Sequence, residues 1–435
     1  MSIAFRLLTI LLAATPVLAF SDSTFGQDAF AVVTAAMLVV AAMAPPSDIT
    51  ATIRLLKGFS FAILFPILFM VFQLAPLPFA SLANPIWPAA AAALNEPSLW
   101  RHVSLAPGNT LRGLMLYLAV LSLVIATVII ARDRQRAQTT LFILCAVTGL
   151  MSAEALLGQL NLFAGVFPVG GTVAATFVAA SAMGSLVNAA AIVMAVERHL
   201  RQSEPEISHS SPLLLQLFLG LAGVAICLAA TTSLAPGSVT VATAFGLALI
   251  LLVVVARRFA LYPWSIGVLL VILATVGIGI VAQRFNNFAD AILGFATSAS
   301  PDSLTLARRA LSDSSWLGSG VGTFSLLAKV YQDFGAAPIL DPPSSMVGVA
   351  VEWGRPALLI LAISAIQVFA GTLRGALRRG RDSFYPAAAA ACVAVVLFEA
   401  FCDPSLTHLT VQTIFAVIVG LGVSQSAGRT SGLQN

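Results

Sequence analysis

Two groups of residues in this sequence have side chains and spacings suited to binding or acid–base chemistry. One is a polar stretch from Arg284 to Ser345, in which a charged helical turn with Arg308 and Arg309 runs into a Gly-x-Gly-x-Gly bend at residues 318–322. The other consists of ionisable residues inside apolar runs, where charge is costly enough to mark a functional candidate. Its members are Glu154, Glu352 and Glu399. We expect the chemistry of the protein to centre on the polar stretch.

The composition places the rest of the chain in a membrane. Apolar residues make up 59% of the 435 residues and charged residues only 9%, whereas soluble proteins carry about 25% charged residues. Twelve apolar runs are long enough to cross about 30 Å of hydrocarbon, so we expect an all-α polytopic membrane protein. The runs lie near residues 5–20, 29–44, 58–76, 111–131, 139–160, 172–196, 213–232, 239–256, 263–283, 346–370, 384–402 and 410–426.

The distribution of Lys and Arg predicts the orientation, because short loops that remain in the cytoplasm carry the excess of positive charge. With the N-terminus inside, 15 of the 22 Lys and Arg residues fall on the inner side. Both termini are then cytoplasmic, and the loop 77–110 and the polar stretch are external. We therefore divide the chain into nine helices with their loops (1–283), a large periplasmic loop (284–345), and three helices with a short cytoplasmic tail (346–435).

The first apolar run has a second interpretation. Arg6, the run itself and Val17-Leu-Ala19 before Phe20 also resemble a signal peptide with a small-residue cleavage site. Both interpretations place residues 21–28 outside. The four cysteines all lie in apolar runs, and we expect neither a disulfide nor a metal site.

The outer loop 77–110 contains Trp87, Trp100, Arg101 and His102. Two tryptophans at a membrane boundary are typical of interfacial anchoring, and stacking on a sugar is the alternative. His102 is one of two outer histidines, the other being His408, and is a candidate for proton transfer.

Three stretches together resemble the O-antigen ligase and polysaccharide polymerase superfamily of bacterial inner membranes. Members have about a dozen helices and a large periplasmic loop between late helices. The first stretch, similar to the family's Arg, Trp, Leu-Gly-x-Gly-x-Gly-x-Phe and Tyr pattern, comprises Arg308-Arg309, Trp316, Leu317-Gly318-Ser-Gly320-Val-Gly322-Thr-Phe324 and Tyr331. The second, Glu352-Trp-Gly354, resembles the family's Glu-x-Gly. The third, Ser104-Leu-Ala-Pro107 through Thr110, resembles a Ser-Leu-Asp-Pro and Thr stretch.

The resemblance implies a metal-independent glycosyltransferase that uses no cofactor. Such an enzyme transfers a glycan from a polyprenyl diphosphate to an acceptor sugar during synthesis of O-antigen, lipopolysaccharide or exopolysaccharide. The implied partners are the lipid bilayer, the lipid-linked glycan, an acceptor glycan or lipid A core, and a polysaccharide assembly complex. No nucleic acid is implied.

The resemblance also implies roles for individual residues. Catalysis falls to Arg308, Arg309 and Glu352, because Arg binds diphosphate bidentately and a carboxylate can serve as base. Asp341 and His102 are further outer bases. Only one arginine can face a cleft beside the apolar stripe of Leu304, Ala307 and Leu311, and we favour Arg309. The implied substrate-binding residues are Gly318, Gly320, Gly322, Tyr331, Arg101, His102 and Arg355.

Simpler structural roles stand beside these assignments. The glycines fit either an anion-binding nest ahead of a helix that begins near Thr323 or a tight turn between two surface helices. Glu352 and Arg355, three residues apart, also fit a local ion pair on one helix face. For Glu154 and Glu399 we expect hydrogen bonds to a neighbouring helix.

Two departures from the family pattern favour a different function. Where the family has a His-Asn pair about nine residues before the Glu, this chain has Pro343-Ser344. Where the family has Phe-Val-Asn-Arg-Asn, this chain has Phe177-Val-Ala-Ala-Ser181. These differences are compatible with a catalytically inactive partner of a polysaccharide assembly complex. A division into six and six segments by the loop 197–212 also suits a transporter or a flippase for lipid-linked glycans.

Overall fold

The computed structural model describes residues 2–20, 23–79, 81–96, 98–160, 171–201, 211–235, 237–259, 292–296, 299–333, 338–378 and 382–426. These residues form sixteen α-helices and one 3₁₀ turn, Ser405–Thr407, and contain no strand. The predicted all-α class is confirmed. In chain order the helices are α1 (Ser2–Leu18), α2 (Thr24–Ala42), α3 (Pro46–Lys57), α4 (Ser60–Leu74), α5 (Ile86–Leu94), α6 (Pro107–Ile130), α7 (Arg134–Gln159), α8 (Gly171–Arg201), α9 (Ser211–Leu234), α10 (Gly237–Arg258), α11 (Pro301–Asp313), α12 (Phe324–Tyr331), α13 (Ser345–Glu352), α14 (Arg355–Arg378), α15 (Phe384–Cys402) and α16 (Leu409–Ser426).

The chain has the architecture of a multi-pass membrane protein. Nine of the described helices are long and apolar enough to cross a bilayer, and α3 with α4 makes a tenth span that is bent by 76°. The bend lies at Gly58 and Phe59, where the backbone leaves helical geometry. Helix α1 is apolar but shorter, with 17 residues. The predicted segment 263–283 lies outside the described residues, so the count of twelve stays a prediction.

The predicted continuous segment at 346–370 is wrong. The structure ends α13 at Glu352 and begins α14 at Arg355, and Gly354 between them has a φ of +82°. A left-handed residue cannot continue a right-handed helix. Glu352 and Arg355 therefore do not share one helix face, and the expected i, i+3 relationship between them is absent.

Three helices form the centre of the bundle. Most residues of α8, α15 and α16 are buried, whereas most residues of α2, α9 and α14 are exposed or only partly buried at the periphery of the bundle. Helix α15 contains the run Ala387–Ala391, and all five of its alanines are buried. Small side chains let neighbouring helices approach closely, which is how membrane helices gain packing energy.

The two ends of the bundle separate the loops as the charge pattern predicts. At one end, ion pairs join loops that are all predicted to be internal: Arg132–Asp48 (3.1 Å), Arg134–Asp382 (2.9 Å) and Arg257–Glu197 (2.9 Å). At the other end, the polar stretch contacts the segment that precedes α6. The grouping supports the predicted alternation of loops, and the assignment of each end to a cell compartment stays a prediction.

The polar stretch packs on the bundle through a small apolar core of its own. Helix α11 begins at Pro301, where the Ser300 Oγ accepts a hydrogen bond from the Ser303 N–H (3.2 Å). Its buried face consists of Leu306, Ala307, Ala310 and Leu311, and it belongs to a cluster with α12, α13 and α15. The predicted apolar stripe that includes Ala307 and Leu311 therefore packs against protein.

Candidate functional site

The glycine loop, residues 317–323, requires glycine for its backbone conformation. Gly318, Gly320 and Gly322 have φ values of +77°, +105° and +76°, a region that other residues adopt only with strain. The loop also lies against other backbone segments. A Cβ atom on Gly320 would lie 2.3 Å from the Ser104 Oγ. Both the positive φ and this close contact therefore exclude a side chain at Gly320.

The glycine loop is fastened to the end of α13. The Ser319 N–H donates to the Val351 carbonyl (3.0 Å), and the Gly320 N–H donates to the Glu352 carbonyl (3.0 Å). A Cβ atom on Gly318 would lie 2.2 Å from that Glu352 carbonyl oxygen. The close contact of the two backbones explains why the second motif, Glu352-Trp-Gly354, also contains a glycine in the left-handed region.

The third motif holds the glycine loop from the opposite side. The Leu105 N–H donates to the Ser319 carbonyl (2.7 Å), and the Thr110 Oγ1 donates to the Val321 carbonyl (3.1 Å). Ser104 and Thr110 share a hydrogen bond between their hydroxyls (2.8 Å). All three motifs that carry the family resemblance therefore meet at one place, although more than 200 residues separate the third from the first.

Gln73 completes this assembly, and our sequence analysis missed it. Gln73 lies in α4 and is buried. Its Nε2 donates to the carbonyls of Leu317 (3.2 Å) and Glu352 (3.0 Å). It therefore ties the glycine loop to the end of α13. A lone amide near the end of an apolar span was the available signal, because polar side chains inside a membrane usually serve helix contacts or function.

The Glu352 carboxylate lies at the start of α12. Its Oε1 accepts the Phe324 N–H (3.0 Å), and the N–H groups of Gly322 and Thr323 also donate to the carboxylate. Burial raises the pKa of Glu352 above its ordinary value, although these three N–H donors act in the opposite direction. The anion held at this helix N-terminus is thus the protein's own carboxylate.

The glycine N–H groups are therefore engaged within the protein. Gly318 donates to Ser315, Gly320 donates to Glu352, and the N–H of Gly322 faces the Glu352 carboxylate. The structure favours the tight turn over the diphosphate nest that we predicted for these residues.

An apolar cavity of about 860 Å³ opens beside the Glu352 carboxylate. Helices α6, α13, α14, α15 and α16 supply most of its wall. Among the described residues, its polar lining residues are Gln27, Ser325, Asp341, Ser345, Glu352, Thr407 and Gln412, and none of the described lining residues is Lys or Arg. A half-buried carboxylate at the edge of an apolar cavity can accept a proton from a hydroxyl that is held near the membrane boundary.

The two predicted catalytic arginines lie away from this cavity. Arg308 and Arg309 are both exposed on α11. The Arg309 Nη1 donates to the Asp333 Oδ1 (2.9 Å) and to the Tyr331 carbonyl (3.3 Å) on the surface of the polar stretch. Neither arginine lines the cavity, and the catalytic role of one of them stays a prediction.

Tyr331 and Arg355 also lie outside the cavity lining. Tyr331 is half-buried, and burial together with a hydrogen bond to Asp313 raises its pKa. The Arg355 guanidinium lies 5.8 Å from the centre of the Trp316 ring and donates to the Leu311 carbonyl (3.3 Å). Both residues therefore contact α11 and the segment that follows it.

Arg101 and His102 belong to the segment that supports the glycine loop. The His102 Nδ1 lies 2.8 Å from the Leu74 carbonyl oxygen, and its ring meets Trp87 edge-on at 5.4 Å. The Trp87 Nε1 donates to the Ser104 carbonyl (3.1 Å), whereas Trp100 is 68% exposed. Neither Arg101 nor His102 lines the cavity, and Trp87 holds Ser104 in place.

The positions where the family has polar catalytic residues are structural in this chain. Ser344 is buried, and its Oγ caps α13 by accepting the Val347 N–H (3.3 Å). Phe177 and Ser181 are buried in α8, where the Ser181 Oγ accepts a hydrogen bond from the Ser152 Oγ (2.8 Å). These side chains cannot take part in binding at the cavity.

No protein-family model matches the chain, and no curated protein matches it either. The features that bear on function are the three motifs, the place where they meet and the cavity beside them. Of the residues that we predicted as catalytic or substrate-binding, Glu352 and Gly322 line that cavity.

Proposed function

We propose that this protein is an inner-membrane glycan polymerase or ligase that transfers a glycan from a polyprenyl diphosphate to an acceptor sugar. One observation carries the proposal. Three short motifs, each weak by itself, meet through direct hydrogen bonds around Glu352. Coincidental motif matches at distant positions would have no reason to meet in space.

Glu352 acts as the general base in this proposal. The acceptor hydroxyl loses its proton to the Glu352 carboxylate, its oxygen bonds to the anomeric carbon, and the bond from that carbon to the diphosphate oxygen breaks. The lipid diphosphate leaves with the electron pair. A pKa raised by burial suits a base that must accept a proton near neutral pH. Asp341 at the cavity supplies a second carboxylate.

The apolar wall of the cavity suits a polyprenyl chain. Its lining includes Leu116, Val120, Leu361, Val396 and Phe415 from four different helices. Burial of apolar chain surface provides about 25 cal/mol per Å², which is the natural source of affinity for a lipid-linked donor. The polar residues occur toward α13 and the polar stretch, where the sugar must lie.

A catalytically inactive partner of a polysaccharide assembly complex is the second candidate. The described part of the cavity lining contains no Lys or Arg, which favours this candidate because a departing diphosphate needs positive charge. The structural roles of Ser344 and Ser181 point in the same direction. An inactive partner would use the same cavity to hold lipid-linked glycan without reacting it.

Analysis of lipid-linked glycans in a deletion strain tests the proposal. Loss of a polymerase leaves single repeat units on lipid facing the periplasm, and loss of a ligase leaves long lipid-linked polymer unattached. Units facing the cytoplasm indicate a flippase instead, and normal surface polysaccharide contradicts all three functions. Complementation by Glu352→Gln separates the enzyme from the inactive partner, because only the partner should still work.

A further inference from the structure

The corner between α15 and α16 contains buried oxygens that lack hydrogen-bond partners. Three such atoms lie within residues 399–410: both carboxylate oxygens of Glu399 and the Thr410 Oγ1, none of which has a partner among the described residues. Both side chains are fully buried. Our expectation that Glu399 bonds to a neighbouring helix is therefore wrong, because neither of its carboxylate oxygens has a partner there.

Glu399 lies far from the basic residues that the structure describes at the Arg257 end of the bundle. Ser383, beside the first residue of α15, contacts Arg257, and the 16 residues from Ser383 to Glu399 correspond to about 24 Å along a helix. Of the helices packed against α15, α16 has no charged residue, and α8 and α10 carry theirs at the end that holds Arg257 and Glu197. In the helices α13 and α14, the charged residues at the near end are Glu352 and Arg355, and among the described residues Glu399 forms an ion pair with neither.

The titratable groups closest to Glu399 make ionisation harder still. Cys392 and Cys402 lie on the same helix, and Asp403 follows one turn after Glu399. His408 lies on the far side of the 3₁₀ turn and is 8% exposed. An ionised carboxylate that is buried, without a donor and beside a second carboxylate would lose its hydration and gain only repulsion.

We propose that Glu399 holds a proton and that Glu399 and Asp403 together form a proton-binding site at this corner. A neutral carboxylic acid removes both the desolvation cost and the repulsion. The site is separate from the acid–base role proposed for Glu352, and it does not depend on the proposed function.

Asp403 connects the proton site to the candidate functional site. Its carboxylate is nearly buried, its Oδ1 accepts the Ser405 N–H (2.9 Å), and burial raises its pKa to about 6. Its backbone carbonyl accepts both the N–H (2.8 Å) and the Oγ (3.0 Å) of Ser345, the first residue of α13. Glu352 is the last residue of that helix. A change of charge at Asp403 therefore acts at the helix that positions Glu352.

Infrared spectroscopy of the purified full-length protein in lipid nanodiscs tests the site. The wild type should show the C=O stretch of a protonated carboxylic acid at pH 7, and Glu399→Gln should remove it while retaining the melting temperature of the wild type. The band should move as Asp403 ionises near pH 6. Asp403→Asn should keep the band and abolish that movement.

Glu197→Gln is the matched control, because Glu197 forms an ion pair with Arg257 at 2.9 Å. It should leave the protonated-acid band intact. A wild-type protein without the band at pH 7, or a band that survives in Glu399→Gln, overturns the proposal. A melting temperature that rises in NaCl relative to choline chloride, and does so only when Glu399 is present, would assign the corner to a monovalent cation and also overturn it.

Discussion

Two regions of the polar stretch differ in how firmly the rest of the protein holds them. The glycine loop receives hydrogen bonds from α4, α6 and the segment before α6, and it donates to the end of α13. The exposed face of α11, with Arg308 and Arg309, is held by surface contacts such as the pair with Asp333. Charge makes the arginines conspicuous in the sequence. Backbone geometry, however, makes the glycine loop the better candidate for the functional site.

The difference has a physical origin. An exposed ion pair contributes little, because water screens it and two long side chains must be immobilised. A loop with three left-handed residues persists only if the surroundings hold it there. Contacts with the surrounding helices must therefore offset the cost of the glycine-loop conformation. Substitutions on the arginine face of α11, in contrast, should leave the fold unchanged. The predictions below test this contrast, from the largest expected effect to the smallest.

Replacing Glu352 by Gln should have the largest effect, a loss of glycan product of at least about 100-fold with protein levels unchanged. Glutamine keeps the shape and can still accept the Phe324 N–H, but it cannot take a proton. Because burial raises the pKa of Glu352, wild-type activity should rise with pH as the carboxylate ionises, and a transfer assay should record this dependence. Glu96→Gln, an exposed change in the outer loop, should leave product normal. Normal product from Glu352→Gln would exclude Glu352 as the base.

Gly318→Ala should disrupt the glycine loop itself. A left-handed alanine costs about 1–2 kcal/mol, and its Cβ would lie 2.2 Å from the Glu352 carbonyl oxygen, which adds to that cost. We expect a lower melting temperature and loss of product. Gly149→Ala is the control, because no atom lies within 4 Å of its added Cβ, and it should match or exceed the wild-type melting temperature. Equal stability of the two variants would show that the loop is not held as described.

Gln73→Leu should weaken the connection between the glycine loop and α13. The buried amide donates to two carbonyls, and losing it should cost about 1–3 kcal/mol in the free energy of unfolding. Gln367→Leu removes a similar bond, from Nε2 to the Gly58 carbonyl (2.9 Å), at an exposed site. It should cost less than about 0.5 kcal/mol. The thermal stability of the two variants gives the comparison, and a similar loss in both would mean that Gln73 has no special role.

Arg309→Ala should have the smallest effect. Its pair with Asp333 is 2.9 Å long but its side chain is 48% exposed, and such pairs contribute less than about 1 kcal/mol. We expect product close to the wild-type level in the single variant and in the double variant with Arg308→Ala. Loss of product at normal protein levels, with no rescue by Lys, would restore the arginines to the active site as the sequence analysis proposed.

Much of the candidate site could be recognised in the sequence, but its assembly could not. The motifs at 104–110, at 317–324 and at 352–354 were identified before the structure, and the structure brings them together. The position of Arg309 depends on the rotational phase of α11, which changes by about 100° with each residue. Which group accepts hydrogen bonds from the N–H groups at the start of α12 depends on the direction of the Glu352 side chain. Neither this direction nor the phase of α11 can be inferred from the spacing of residues in the sequence.

Composition and periodicity by themselves determined that this is an all-helical membrane protein with a polar stretch between late helices. Ten of the twelve predicted segments coincide with described helices, because burial in lipid leaves the backbone few alternatives. Tertiary structure alone decided which polar groups meet. Gln73 bonds to a residue 279 positions away, and Glu399 is isolated because the helices around it place their charges elsewhere. Such contacts depend on the packing of whole helices, so no local pattern encodes them.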